Sequence, residues 1–154
     1  MEAYARDVTS LLKIGDPREA ESIESYQAQF GIGQEHVSDL IRMIGDELLN
    51  RADQDSTEVW APLHAWRALG ELQMEVAIEP ILEALNVASI NDEDWACEEL
   101  PEILGKIGPS CIQPASAFIL DDSRNEWART GAARCLEELA NFHAESHDAC
   151  IASL

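Results

Sequence analysis

Basic residues are scarce in this 154-residue sequence: ten lysines and arginines stand against thirty aspartates and glutamates, a net charge of −20. A field of that sign repels phosphate backbones and anionic lipid, which excludes direct nucleic-acid binding and electrostatic docking on a membrane. Long apolar runs are also missing, so no segment reads as membrane-spanning. The start, Met1-Glu2-Ala3-Tyr4-Ala5-Arg6-Asp7, lacks the basic and apolar regions of a secretory leader. These absences predict a soluble, cytoplasmic protein.

Signatures of chemistry are equally sparse. The four cysteines (Cys97, Cys111, Cys135, Cys150) include no Cys-x-x-Cys pair and lie within helical patterns, so they are expected to be small buried hydrophobes. There is no His-Glu-x-x-His, no phosphate-binding glycine loop, no Gly-x-Ser-x-Gly elbow and no Cys-Gly-x-Cys context. His143, His147 and Cys150 have the i, i+4, i+7 spacing of metal ligands, but no fourth ligand accompanies them. Neither a metal nor another cofactor is expected, and no catalytic residue is assigned.

Strand signals are missing as well, since β-branched and aromatic residues never alternate with polar ones over four or more positions. Apolar residues recur instead at three- and four-residue spacing, as in Val37, Leu40, Ile41, Ile44 and Leu48, one stripe of an amphipathic helix. Breakers at Gly15-Asp16-Pro17, Gly31-Ile32-Gly33, Asp53–Ser56, Ser89–Asp92, Gly108-Pro109 and Asp121–Ser123 divide the chain. Helices are predicted near 3–13, 19–29, 35–50, 57–71, 75–88, 93–107, 110–120, 125–140 and 144–153, about nine in an all-α chain.

The last hundred or so residues repeat. Trp-Ala pairs open three successive helical units at Trp60, Trp95 and Trp127, with leucine nine positions on (Leu69, Leu104, Leu136) and an aliphatic twelve on (Leu72, Ile107, Leu139). The helices that follow agree: Ala77-Ile78-Glu79-Pro80 and Cys111-Ile112-Gln113-Pro114 lie 34 residues apart, against 35 from Trp60 to Trp95. A period of this length is the mark of a stacked solenoid. Pro80 and Pro114 fall in a first turn, where a missing N–H is harmless, whereas Pro101 falls mid-helix and is expected to kink it.

The segment from Ser56 to Leu85, with Glu58-Val59 before the helix, Ala68-Leu69-Gly70-Glu71-Leu72 closing it and Ala77-Ile78-Glu79-Pro80-Ile81 opening the next, resembles the HEAT-like repeats first described in phycobilin lyases. The resemblance implies a right-handed α-solenoid of stacked antiparallel helix pairs: about three pairs over 53–154, preceded by divergent helices over 1–52 that act as a cap or as degenerate repeats. It implies fold more than function, because such repeats serve as scaffolds, adaptors and occasional enzymes. Iron-binding members carry His-Glu dipeptides, and no histidine here is followed by glutamate. The final Ala149–Leu154 has no capping signal, which leaves a stack continued by another chain, including self-association through the last repeat, or a fragment of a longer protein.

Two candidate surfaces emerge. Between Arg67 and Lys106 ten acidic residues follow one another without a base. Within that run Glu75, Glu79 and Glu83 form a ridge at four-residue spacing, where like charges destabilise a helix by a few tenths of a kcal/mol each. The resemblance places second helices on the concave face, so this ridge, with Glu98 and Glu102 alongside, is the candidate site for a basic protein partner. The bland alternative is a solvated, solubilising surface. The second candidate is the edge carrying Trp60, Trp95 and Trp127, with His64 and Arg67 on the Trp60 face. At about 100° per residue Trp60 lies opposite Leu69, so the indoles either pack between repeats or face a ligand. The leading expectation is a non-catalytic interaction scaffold with an acidic concave face. The alternative is a bilin-lyase-like protein, handling a small molecule along the tryptophan edge.

Overall fold

A computed structural model describes residues 3–154, and among them it is all-helical, with ten α-helices and no strand. The chain divides into two compact units, Met1–Leu72 and Gln73–Leu154. The division falls after the helix that opens the first sequence repeat. Among the described residues no helix is long and apolar enough to cross a membrane.

In the first unit, α1 (Arg6–Thr9) runs into a 3-10 turn at Ser10–Lys13, followed by α2 (Tyr26–Phe30), α3 (Val37–Ile44), α4 (Glu47–Asn50) and α5 (Ala61–Leu72). The helix expected over 19–29 is confined to α2. Asp16 takes the preceding stretch into a turn, its carbonyl accepting from the Glu19 and Ala20 amides and its carboxylate from the Arg18 amide. Helix geometry begins only where Ser25 caps the Ala28 amide, and it ends at Gly31, whose φ of 69° is the left-handed position that favours glycine. The helix expected over 35–50 is interrupted at Gly45, and Asp46 restarts it by capping the Leu48 amide.

Val8, Leu11, Ile32, Leu40, Met43 and Leu69 form the first unit's core, each without exposed surface. His64, on α5, is buried with them. One of its ring nitrogens lies 2.8 Å from the Tyr26 hydroxyl and the other 2.8 Å from the Gly15 carbonyl oxygen. A carbonyl only accepts, so Nε2 carries a proton, and in the neutral ring Nδ1 then accepts from tyrosine. The last turn of α5 supplies a second tie. The Glu71 carboxylate accepts from the Ser25 hydroxyl and from the Tyr26 and Gln27 amides, neutralising the exposed N–H groups of α2.

The second unit holds α6 (Ile78–Ile90), α7 (Asp94–Ile107), α8 (Ile112–Leu120), α9 (Glu126–Phe142) and α10 (His147–Ala152). α7 continues through the buried Pro101 without ending. Three helices enter through the same device, a 3-10 turn whose last residue is buried: Glu75–Ala77 before α6, Pro109–Cys111 before α8, and Ala144–Ser146 before α10. Ala77, Cys111 and Ser146 recur at steps of 34 and 35 residues, so the sequence period has a local structural counterpart.

α9 is the central helix of this unit. It packs on α6, α7, α8 and α10, most extensively on α7, through the stripe Ala128, Ala132, Cys135, Leu136 and Leu139. Small residues permit the approach. A Cβ placed on Gly105 of α7 would meet the Glu138 Cβ at 2.8 Å and the Leu139 amide nitrogen at 2.9 Å. Both lie inside van der Waals contact, so only glycine fits this crossing.

Candidate functional site: an acidic and aliphatic helix face

The ridge helix α6 buries Ile78, Ile81, Leu82, Leu85 and Ala88, as the spacing requires. The opposite side is unusual. With the Glu75–Ala77 turn it presents Val76, Glu79, Glu83, Val87 and Ile90 within an arc of about 80°, at the helical rotation of about 100° per residue. Val76 is 62% exposed, Val87 48% and Ile90 60%. Two carboxylates therefore sit between aliphatic side chains in water.

Three of the five carboxylates singled out above have partners within the unit. Glu75 accepts from the Ser110 hydroxyl. Glu83 pairs with Arg124, which also holds Asp121 at 3.1 Å. Glu102 pairs with Lys106 at 2.7 Å, one turn along α7. Glu79 projects outward from α6, and Glu98 is exposed on α7 one turn before Glu102. The structure thus gathers Glu79 and Glu83 on one stripe of α6, and Glu98 and Glu102 on α7. The repulsion along the Glu75, Glu79, Glu83 ridge is relieved at both ends, by Ser110 and by Arg124.

The unit's charge is lopsided even so. Residues 73–154 contain sixteen carboxylate side chains and four basic ones. Every one of the four bases is already held by a carboxylate: Lys106 by Glu102, Arg124 by Glu83 and Asp121, Arg129 by Asp122 at 2.9 Å, and Arg134 by Glu138 at 3.7 Å. The hydrogen bond to Glu83, the largest influence on Arg124, strengthens that guanidinium's hold on its proton. Hydrogen bonds from Ser123, first from its hydroxyl and then from its amide, hold the Asp121 carboxyl below the usual range.

The tryptophan-edge residues do not share one environment. Trp60 is half-buried, with the Arg18 guanidinium 5.5 Å from its ring centre, and Arg67 is half-buried on α5. Trp95 is half-buried in the first turn of α7, its indole N–H donating to Glu99 at 3.2 Å. Trp127, in the first turn of α9, is 68% exposed, so packing does not account for that ring. His64 requires a correction: it belongs to no surface, because α5 is buried around most of its circumference and both ring nitrogens are hydrogen-bonded.

Most of the cysteines lie in the core. Cys111, Cys135 and Cys150 are buried, and all four thiols are free. The Cys111 thiol donates to the Leu104 carbonyl at 3.0 Å. A hydrogen bond with Cys111, then burial, pushes the Cys135 thiol far above its ordinary range, and burial also raises Cys150. Among the described residues no group of three or more His, Cys, Asp and Glu side chains is arranged to hold a metal ion. Two surface depressions lie in the first unit. One, of about 610 Å³, is lined by Gln27, Gly31, Gly33, Gln34, Glu35, Glu71 and Leu72; the other, of about 600 Å³, involves Lys13, Ile23 and Phe30. Neither has a tryptophan in its wall.

Sequence reasoning singled out the carboxylates of α6 but missed Val76, Val87 and Ile90. The signal was present, since helical rotation places all three with Glu79 and Glu83, opposite Ile78 and Leu85. In comparisons with protein families, curated proteins and solved structures, the chain matches none.

Proposed function

We propose that the protein is a non-catalytic interaction scaffold, a HEAT-like right-handed stack of helix pairs, whose acidic surface within Gln73–Leu154 takes up a basic segment of a protein partner. The observation that carries this reading is the state of the unit's four bases: each is already paired with a carboxylate, while Glu79, Asp94, Glu98 and Glu126 stand exposed. Neutralising the remaining charge requires cations from outside the unit. The recurring 3-10 turns with buried Ala77, Cys111 and Ser146, and the packing of α9 against α7, support the repeat reading.

A lysine- and arginine-rich peptide, titrated between about 50 and 500 mM salt, tests the reading, because the screening length shrinks roughly threefold over that range. The account expects binding at low salt that weakens steadily. No binding at low salt, or an affinity indifferent to salt, overturns it. The exposed ring of Trp127 favours a second reading, the handling of a small aromatic molecule along the tryptophan edge. Visible absorbance retained by the purified protein would support that alternative.

A further inference from the structure

The outer face of α6 names the kind of basic segment more closely. Val76, Val87 and Ile90 are three large aliphatic side chains on one outward stripe, each about half exposed or more. A stripe kept only for solubility has no use for them, since exposing aliphatic surface costs about 25 cal/mol per Å² relative to burial. Between them stand Glu79 and the Glu83 carboxylate with its Arg124 partner, so the two ends of the stripe are apolar and its centre keeps a net negative charge at Glu79.

We propose that this face docks an amphipathic helix with an aliphatic anchor at each end and lysine or arginine in the turns between, a proposal that rests on the interaction reading above. A helix is the fitting occupant because α6 is itself a regular helix and offers side chains rather than an open strand edge. The spacing follows from the rise per residue. Val76 and Val87 lie about 16 Å apart along the axis and Val76 and Ile90 about 21 Å, so a parallel or antiparallel partner needs its anchors three to four turns apart. Glu79 stands exposed between the anchors and matches one cationic side chain, while Glu83, one turn on, shares its charge with Arg124. A second copy of this chain is a poor occupant, because symmetric pairing would set these carboxylates against one another.

The test uses the whole 154-residue chain and two labelled peptides. One is a helical peptide with leucine anchors at that separation and lysines between them; the other is a scramble of the same composition. Fluorescence anisotropy at low salt is expected to show the patterned peptide binding about tenfold tighter than the scramble. In the surface double variant Val87→Ser, Ile90→Ser the preference disappears, while the salt dependence remains. Glu79→Gln instead lowers affinity for both peptides and flattens the salt dependence. Circular dichroism confirms that each variant is folded, as the exposure of these positions leads one to expect. If both peptides bind equally well and the double variant changes nothing, the docking face is wrong while the acidic-surface reading survives. If neither peptide binds at low salt, both fall.

Discussion

Replacing Gly105 by alanine sets two opposed effects against each other. Alanine in a helix interior is favoured over glycine by about 1 kcal/mol, so without tertiary contact the variant would be more stable. Here the new methyl would sit 2.8 Å from the Glu138 Cβ, 2.9 Å from the Leu139 amide nitrogen and 3.0 Å from the Glu138 carbonyl carbon. Two of these atoms are backbone, so rotating a side chain cannot relieve the clash, and α7 and α9 must separate by roughly half an ångström. Overpacking of this kind costs about 1–3 kcal/mol. Because this is the most extensive helix pair of the unit, the upper half of that range applies and the clash wins. A net loss of about 1–2 kcal/mol lowers the melting temperature by roughly 2–8 °C in a chain of this size. The control is Gly45→Ala, where the new Cβ meets nothing nearer than the Arg42 carbonyl oxygen at 3.9 Å. That variant should be neutral or gain up to about 1 kcal/mol. Thermal circular dichroism of both decides the matter. A Gly105→Ala protein as stable as the parent would refute the close α7–α9 approach.

His64→Ala should leave the Tyr26 hydroxyl and the Gly15 carbonyl without their buried partner, costing about 2–4 kcal/mol of stability in urea denaturation; unchanged stability would argue against that network. Asp39 accepts from the Ala5 amide at 2.6 Å and from Arg42 at 2.8 Å, and these bonds hold its carboxyl below the ordinary range. A lowered value means stabilisation that is complete above the unfolded carboxyl's pKa, about 4, and lost as pH falls through the lower folded value. Asp39→Asn should therefore flatten the acid limb of the stability curve below about pH 4, as followed by circular dichroism. Cys97 is half-buried while the other three cysteines are buried with 2% exposure or less. A maleimide with mass-spectrometric mapping should label Cys97 first, and Cys111, Cys135 and Cys150 only once the chain is unfolded.

Several helix positions were legible in this sequence because a local signal marks one of their ends. Asn125 caps the Trp127 and Ala128 amides at the start of α9, and Gly108, with φ of 117°, separates α7 from the turn leading into α8. What eluded the sequence is long-range. Helical rotation sets His64 on an outward face only if α5 has one, whereas its hydrogen-bond partners come from positions 38 and 49 residues earlier. The relief of the acidic ridge was hidden for the same reason, since Arg124 reaches Glu83 across 41 residues of chain. The helix expected over 19–29 shows the converse. Glu19, Ala20 and Glu21 favour helix, but the local turn at Asp16 took the backbone amides first.

The central claim, that the outward face of α6 receives a cationic helix, is tested most directly by amide chemical-shift mapping of the full chain against the anchored lysine peptide at low salt. The account predicts perturbations concentrated at Val76, Glu79, Glu83, Val87 and Ile90, fading as salt is raised. Perturbations confined to Met1–Leu72, or none at all, would contradict it.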